Sequence, residues 1–509
     1  MKKQLIHILA TAALIITACD NTSTTTLLNG DFLPADTSLP NILSPEEGDT
    51  VLNLTADLRW TAKEGAEYYS IEVAIDEAFA QQITGSPFTV EVPNTFYKLT
   101  LPSAGTYYWR IRASVTASGQ YASSYFDAKE DCLYVYFPYD AADPDAKPDD
   151  TGKTGNLDSP YQTINRALAE AYRLGISKVR VASRGEISAG NFAAYEEYFV
   201  FREGVSVQGG FNADFSERHD FSTGLENNPY ETRLEGKYSQ SIKIEEIYSP
   251  TLIEGLSIKT TKGMGLNIQN CGIDLIIRFC LIVSEMSYGG STGLYILNSS
   301  SRIVKNLIKS SNNVELGLTA GLENIGGDPE IINNCIISGS MVNNGGYSYG
   351  VHNDGDCILI NNTIISGVTS YAGSENTATS TGLYSTDTNN PVVINNIIIT
   401  IDENYERYGI QATGGFYYYN CIYGNGGTDH TGITLGTGNV TVDPLLDADY
   451  KLTASSPSTV TGGGVIDPFD IVEITPLDEY LLDIEGAART PDYVADSATT
   501  GWSMGAYEY

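Results

Sequence analysis

The chain has 509 residues, of which 42% are hydrophobic, so it is long enough for two or three folding units with buried cores. Its 29 basic and 63 acidic residues give a formal net charge of −34. A field of this sign repels the phosphates of nucleic acids and anionic lipid headgroups, which excludes nucleic acid as a partner, whereas divalent cations, neutral sugars and basic proteins are compatible with it.

The N-terminus has the pattern of a bacterial export signal. Two lysines precede an apolar run, Leu5–Ile16, that is too short to span a membrane. The run ends in the sequence ITAC, which resembles a lipobox, and the resemblance implies that residues 1–18 are a lipoprotein signal peptide and that Cys19 is lipidated. An ordinary signal peptide that happens to contain a cysteine is the alternative. Residues 19–40 are polar and predict a flexible tether.

Lipidation of Cys19 would determine where the protein is found. The lipid would attach the mature protein to a membrane of the bacterial cell envelope. We expect the outer membrane or the cell surface rather than the inner membrane.

Residues 41–137 contain short alternating apolar runs separated by turn residues, which predict an antiparallel β-sandwich. The opening SPEEG, Trp60 on an early strand and the run TYYWRIRA on a late strand resemble a fibronectin type III-like domain. The resemblance implies a spacer or a binding module. Trp60 and Trp109 are expected in its core rather than on a ligand surface.

The next segment, residues 138–158, predicts a solvated acidic linker. Its density of aspartates is compatible with calcium, but the spacing does not fit an EF-hand loop. In residues 159–250, Ser159 is expected as the N-cap and Pro160 as the first position of an amphipathic helix that ends at Gly175. Because a repeat array exposes an unpaired apolar end, we expect this helix to cap it.

A repeat dominates residues 251–443. The phrase IINNCIISG at residues 331–339 returns in looser copies at steps of 24 to 34 residues. Aligned on the second asparagine of the phrase, the copies give Phe279, Asn306, Asn334, Asn362, Asn396 and Asn420. We expect the asparagine side chains to stack at one corner of a coil and to hydrogen-bond along its axis, which makes them structural and not catalytic.

Each repeat also contains a glycine followed by an aliphatic residue, 11 to 14 residues before the aligned position. The glycines are Gly265, Gly293, Gly350, Gly382 and Gly409, and Gly317 fits with a longer gap. Two recurring strands and two corners in each repeat predict that every strand pairs with its counterpart in the next repeat. The result is a coil of parallel strands.

The helix segment, the run GVSVQGGF and the repeats resemble bacterial right-handed parallel β-helices of the pectin-lyase-like superfamily. The tail, residues 444–509, resembles the closing segment of secreted bacterial β-helix proteins and is expected to cover the last coil. The expected fold class is therefore all-β, with an antiparallel β-sandwich followed by a right-handed parallel β-helix that carries an N-terminal capping helix.

Six cysteines remain after Cys19. In the alignment, Cys280, Cys335 and Cys421 fall in one column, and the first two are two coils, or about 9.6 Å, apart, which is beyond disulfide reach. We expect them to be small apolar core residues. No CxxC or Cys/His cluster is present, so the sequence predicts no metal ligands and no cofactor, with calcium as the alternative.

A column of outward-facing residues offers a candidate ligand surface. If the aliphatic residues that follow the glycines point inward, the next residues point outward because side chains alternate. These are Asn267, Tyr295, His352, Tyr384, Gln411 and Thr434, with Gln269, Asp354, Thr386 and Thr413 two places on. Rings beside amides could hold a sugar chain, so Tyr295, His352, Tyr384 and Gln411 are the candidate surface. A tyrosine-rich face that binds nothing is the alternative.

For catalysis, His352, Asp354 and Asp356 form the best local set. Polysaccharide-cleaving members of the superfamily are mainly lyases, which use calcium carboxylates and a basic residue, and hydrolases, which use grouped aspartates. The polygalacturonase signatures NTD, DD, GHG and RIK are missing, and no lysine or arginine lies between Ser311 and Glu406.

Together these patterns favour a lipid-anchored cell-envelope protein that is a non-catalytic binding or adhesion scaffold. Its candidate partners are a polysaccharide or an envelope protein. The alternative is a polysaccharide-active hydrolase or lyase on the same β-helix.

Overall fold

The computed structural model describes most of the chain. The described residues are 39–51, 54–102, 105–116, 120–128, 132–140, 142–143, 146–186, 191–221, 224–225, 228–236, 241–261, 263–285, 289–313, 317–341, 346–369, 378–386, 389–402, 406–464, 483–485 and 503–507. They form two compact units, with the division in the chain after residue 130, and each unit is described by itself. In this part of the chain, no helix is long and apolar enough to cross a membrane.

The first unit contains eight strands in two sheets. The strands are β1 (Ile42–Ser44), β2 (Asp49–Val51), β3 (Thr55–Trp60), β4 (Tyr68–Ala74), β5 (Phe88–Glu91), β6 (Phe96–Thr100), β7 (Gly105–Ala113) and β8 (Ala122–Ala128). One sheet has the order β1-β3-β6 and the other β2-β8-β7-β4-β5. All pairs are antiparallel except β2 with β8.

Alternation along the strands builds the core of this unit. In β3, Ala56, Leu58 and Trp60 are buried, and Trp109 from β7 joins them. The rings of Trp60 and Tyr69 meet edge to face with centroids 5.3 Å apart. The predicted antiparallel sandwich is confirmed, and both tryptophans lie in its core as expected.

The second unit begins with short elements around one helix. They are β9 (Leu133–Val135), α1 (Ile164–Leu174), β10 (Lys178–Ala182), β11 (Arg184–Glu186), β12 (Asn191–Ala193), β13 (Tyr195–Glu197), β14 (Ser206–Phe211), β15 (Thr232–Gly236) and β16 (Ile242–Glu245).

Seven regular triplets of strands follow. They are β17 (Thr251–Glu254), β18 (Leu256–Thr260), β19 (Met264–Gln269), β20 (Leu275–Arg278), β21 (Leu281–Ser284), β22 (Ser291–Leu297), β23 (Arg302–Val304), β24 (Leu307–Ser310), β25 (Leu318–Ile325), β26 (Glu330–Ile332), β27 (Cys335–Ile337), β28 (Tyr347–Asp354), β29 (Ile358–Ile360), β30 (Thr363–Ser366), β31 (Thr379–Ser385), β32 (Val392–Ile394), β33 (Ile397–Thr400), β34 (Glu406–Gln411), β35 (Phe416–Tyr418), β36 (Cys421–Tyr423) and β37 (Thr428–Thr431). A short helix, α2 (Ser458–Thr461), comes last.

These strands form three long parallel sheets. Sheet I runs β9-β10-β14-β17-β20-β23-β26-β29-β32-β35, sheet II runs β13-β15-β18-β21-β24-β27-β30-β33-β36, and sheet III runs β16-β19-β22-β25-β28-β31-β34-β37. Every turn of the coil adds one strand to each sheet. The unit is therefore a right-handed parallel β-helix of about seven turns, and the predicted fold class is confirmed.

The coil has three strands in each turn, and not the two predicted from the repeats. The phrase IINNCIISG supplies two of them, β26 and β27, with a corner between them. At this corner Asn333 adopts a left-handed backbone conformation with φ of 57°, which asparagine tolerates better than most residues. Strands of three residues are too short to show alternation, so the apolar pair before the corner was not recognised as a strand of its own.

The stacked asparagines form a continuous hydrogen-bonded ladder at this corner, as predicted. Each Nδ2 donates to the Oδ1 of the next member, at 3.0 Å from Asn306 to Asn334, 3.1 Å to Asn362, 2.9 Å to Asn396 and 3.0 Å to Asn420. Asn439 extends the ladder by one more bond of 3.0 Å. Each Oδ1 also accepts the backbone N–H of the preceding member, so the buried amides are paired on both sides.

The sequence alignment was wrong by one residue at its first member. Phe279, with φ of 52°, shares the left-handed position of Lys305. Cys280 therefore occupies the asparagine column, where its backbone N–H donates to Asn306 Oδ1 at 2.9 Å. Cys335 lies one position later, so the three cysteines do not form the single column that was predicted.

All six cysteines of the described chain are free and buried. Burial raises the pKa of the Cys280 thiol to about 12. Cys280 and Cys357 lie in the interior of the coil, whereas Cys335 and Cys421 belong to an apolar cluster on the outer side of sheet II. They act as small apolar residues, as expected.

Helix α1 begins later than predicted. Its N-cap is Thr163, whose side chain accepts from the N–H of Arg166, whereas Ser159 pairs with Asn156 in an isolated bridge. The carboxylate of Glu197 accepts hydrogen bonds from two more backbone amides of the first turn, Ile164 N at 2.7 Å and Asn165 N at 2.9 Å. Pro160 therefore lies before the helix and not at its first position.

The apolar face of α1 closes the first turn of the coil. Ile164, Leu168 and Ala171 are fully buried and belong to the same cluster as the coil interior. The helix ends where Gly175 takes φ of 70°, as predicted. The small helix is thus placed as the expected cap.

Two segments lie elsewhere than the sequence suggested. Leu133–Val135, assigned from sequence to the first domain, pairs in parallel with β10 and starts sheet I. The tail was expected to cover the last coil, and its described part also reaches earlier turns, because Gly505 N donates to Asn395 O at 2.7 Å and Ala506 N to Thr363 Oγ1 at 3.0 Å. These bonds hold the tail against the outer side of sheet II.

Candidate functional site

Recurring glycines position the strands of sheet III. A Cβ atom on Gly350 would lie 2.6 Å from the carbonyl oxygen of Gly382 in the next turn, so only glycine fits this close approach. The following residue in each turn points into the core, as Leu294, Val351 and Leu383 do.

In the third regular turn the glycine chosen from the sequence is wrong. The residue in register with Leu294 and Val351 is Leu322, preceded by Gly321, and not Leu318 after Gly317. Gly321 lies 13 residues before Asn334, within the spacing of the other copies, so the signal was present in the sequence.

This register brings a carboxylate into the outward column. Glu323 lies between Tyr295 and His352, and Thr431 takes the place that was given to Thr434 at the C-terminal end. The observed column is Asn267, Tyr295, Glu323, His352, Tyr384, Gln411 and Thr431. Tyr295 and Tyr384 are therefore three turns apart, with an acid and a histidine between them.

Aromatic rings gather on two neighbouring strands of sheet III. Tyr349 and Tyr384 are stacked, with centroids 4.9 Å apart and planes at 12°. His352 lies 5.3 Å from Tyr349 and 5.4 Å from Tyr384, and Tyr347 lies 5.7 Å from Tyr349. We call Tyr347, Tyr349, His352 and Tyr384 the aromatic cluster.

Tyr349 was not predicted from the sequence as part of this surface. Strict alternation from the inward Val351 would turn position 349 inward as well. Its ring instead contacts the outward rings of His352 and Tyr384, so the alternation is broken at Gly350. Burial, with the neighbouring phenols of Tyr384 and Tyr347, raises the pKa of Tyr349.

The aromatic cluster forms one side of an open depression of about 540 Å³. The described residues that line it are Leu318, Tyr347, Tyr349, His352, Thr379, Tyr384, Glu406 and Gln411. Three of the four predicted surface residues, His352, Tyr384 and Gln411, meet here. Tyr295 lies outside this set of lining residues.

A carboxylate orients the histidine of the cluster. His352 Nδ1 lies 3.2 Å from Glu323 Oε1, and both side chains are largely buried, with exposures of 19% and 15%. A carboxylate only accepts hydrogen bonds, so in this contact Nδ1 of His352 is the donor. Burial and the charge of Glu323 also raise the pKa of Tyr295.

The acidic residues proposed for catalysis have structural contacts instead. Asp354 Oδ1 accepts from Thr386 Oγ1 at 2.7 Å and from Asn389 Nδ2 at 3.0 Å, and these bonds lower its pKa. Asp356 Oδ1 accepts the backbone N–H of Asn390 at 2.7 Å. Both carboxylates thus fix the segment after β31, and neither lines the depression.

A catalytic site in this region could also use two other residues, Arg407 and Asp387. Arg407 is in register with Ser380, its side chain lies beside Gly426 and Gly427, and it is not among the residues that line the depression. Asp387, which would complete an acidic set, lies outside the described residues. The geometry around His352 is suited to holding a ligand, with aromatic rings and a rim of polar groups.

Metal binding and lipidation are the remaining features on which the sequence bears. Within the described ranges, no group of three or more His, Cys, Asp or Glu side chains is arranged to hold a metal ion. Cys19, the candidate lipidation site, lies outside the described residues.

Comparisons with known proteins give two structural likenesses. No protein-family model matches the chain, and no curated protein matches it. The crystal structure of FN3tt is 19% identical, with 18% of this chain and 95% of that chain covered and a TM-score of 0.14. The crystal structure of the Agl-KA catalytic domain is 11% identical, with 80% of this chain and 93% of that chain covered and a TM-score of 0.18.

Proposed function

We propose that this protein is a lipid-anchored component of the bacterial cell envelope that binds carbohydrate in the depression on sheet III and acts as a non-catalytic scaffold. The observation that carries the proposal is the aromatic cluster beside polar lining residues. The faces of sugar rings are apolar and pack on aromatic faces, while their hydroxyl groups need hydrogen-bonding partners at the edge. Thr379 and Gln411 supply such partners.

The state of the carboxylates favours binding over hydrolysis. Glycoside hydrolases use two carboxyl groups beside the scissile bond, and the acid among them has a raised pKa. Asp354 has a lowered pKa and is held by Thr386 and Asn389. A binding role therefore explains the site with fewer assumptions than the hydrolase or lyase alternative.

We expect Tyr384→Ala and Tyr347→Ala to weaken glycan binding, by roughly tenfold for Tyr384, because each removes one ring face from the sugar surface. A glycan array identifies the ligand, and titration of each variant measures the loss. Tyr248→Ala is the matched control, since Tyr248 is 56% exposed and lies before β17.

Three outcomes would contradict this proposal. Absence of binding to any glycan on a broad array would remove the carbohydrate, and equal loss in the Tyr248 variant would show that the depression is not the site. Cleavage of a polysaccharide by the purified protein, with or without calcium, would favour the enzyme instead.

The anchor has its own test. Cys19→Ala is expected to abolish incorporation of a radiolabelled fatty acid and to release the protein from membranes, because the thioether is the only covalent attachment proposed. Unchanged labelling in this variant would refute the anchor without affecting glycan binding.

A further inference from the structure

We infer that the depression on sheet III selects sugars with free amino groups over sugars with carboxylate groups. The inference rests on the proposed carbohydrate binding and specifies its substrate class. It follows from the charge of the surroundings and from the kind of hydrogen-bonding atoms that the depression presents.

The surroundings of the depression are acidic. Glu406 lines it, Glu323 contacts His352, and none of the described lining residues is a lysine or arginine. From Ser311 to Glu406 the sequence contains eleven aspartates and glutamates and no lysine or arginine. Such a surface attracts cations and repels anions, and the effect is strongest where side chains are partly buried.

The charged groups beside the aromatic cluster are carboxylates. Glu406 lines the depression and Glu323 contacts His352, and an ionised carboxylate only accepts hydrogen bonds. A protonated amino group offers three donors and no acceptor, so it complements these atoms, and a charged donor strengthens each bond. A uronic acid would instead place its carboxylate beside Glu406 with no guanidinium to pair it.

The test uses the full-length protein and three oligosaccharides of equal length, made of glucosamine, N-acetylglucosamine or galacturonic acid. At about pH 6, where an amine is largely protonated, calorimetry should give roughly tenfold tighter binding of the glucosamine oligomer than of its acetylated counterpart. Raising the salt from about 50 mM to about 500 mM should reduce this ratio, and the galacturonic acid oligomer should bind least.

The variant Glu406→Gln tests whether the charge at the rim of the depression causes the preference for the glucosamine oligomer. It should reduce the ratio of the two affinities at least about threefold, since one charge at the rim is lost. Glu285→Gln removes a charge from an exposed residue after β21 and should leave the ratio as in the parent protein.

Equal binding of the glucosamine and acetylated oligomers, or tighter binding of the galacturonic acid oligomer in the presence of EDTA, would overturn this inference while leaving carbohydrate binding intact. A ratio unaffected by Glu406→Gln would overturn it as well. If the three oligomers and every glycan on the array fail to bind, the proposed function itself is wrong.

Discussion

Replacing Asn362 by alanine is expected to lower the free energy of unfolding of the coil by about 3 to 5 kcal/mol, because several buried polar groups lose their partners together. Asn362 Oδ1 accepts from the backbone N–H of Asn334 at 2.9 Å and from its Nδ2 at 3.1 Å. Asn362 Nδ2 donates to Ile331 O at 2.8 Å and to Asn396 Oδ1 at 2.9 Å.

The change is measured by urea unfolding followed by far-UV circular dichroism. This signal is needed because Trp60 and Trp109, two of the three tryptophans, report on the first unit. Asn390→Ala is the control, since Asn390 is exposed and should cost less than about 0.5 kcal/mol. Equal stability of the Asn362 and Asn390 variants would show that the ladder does not stabilise the coil.

The ladder also shows why much of the fold was predictable. Because the same position in every turn has the same surroundings, the same residue type recurs there at regular intervals in the sequence. The asparagines from Asn306 to Asn420 show this repeat. What the period could not reveal was the third strand. Glu330–Ile332 is too short for alternation, and the sharp corner at Asn333 depends on one backbone angle.

The candidate site was predictable only in part, and the reasons differ from residue to residue. His352, Tyr384 and Gln411 follow from alternation along regular strands. Glu323 was not predicted because Gly317 was aligned with the other glycines in place of Gly321. The spacing of the other copies, applied strictly, would have selected Gly321. Tyr349 departs from alternation, and its stacking on the next turn is a tertiary contact that no local pattern encodes.

A buried carboxylate supports the entry to the coil. Glu254, whose side chain is 3% exposed, contacts Arg218 at 2.9 Å and Arg278 at 2.7 Å and accepts from Gln208 at 2.7 Å. Arg218 belongs to a segment in which Phe221 stacks on Phe279, with centroids 5.6 Å apart. Glu254 therefore links the segment that contains Arg218 and Phe221 to sheet I, where its other partners lie on the two neighbouring strands, β14 and β20.

Glu254→Gln is expected to cost about 3 kcal/mol at neutral pH, since it leaves two partly buried guanidinium groups without their carboxylate. Urea unfolding of both proteins at a series of pH values measures the difference. Glu245→Gln is the control, because Glu245 pairs with Lys243 at the surface, where such pairs contribute little.

The pKa of Glu254 determines how the stability difference between the parent protein and Glu254→Gln changes with pH. Burial alone would raise the pKa of Glu254, but the charges of Arg218 and Arg278 outweigh it and hold the pKa below the ordinary value of 4.5. A carboxyl group with a lowered pKa in the folded state stabilises the fold above 4.5 and loses that contribution as the pH falls through its folded-state value. The gap between the parent protein and Glu254→Gln should therefore be constant above about pH 5 and should shrink in more acidic solution. A gap that grows on acidification would mean that Glu254 is not held as an anion between the two arginines.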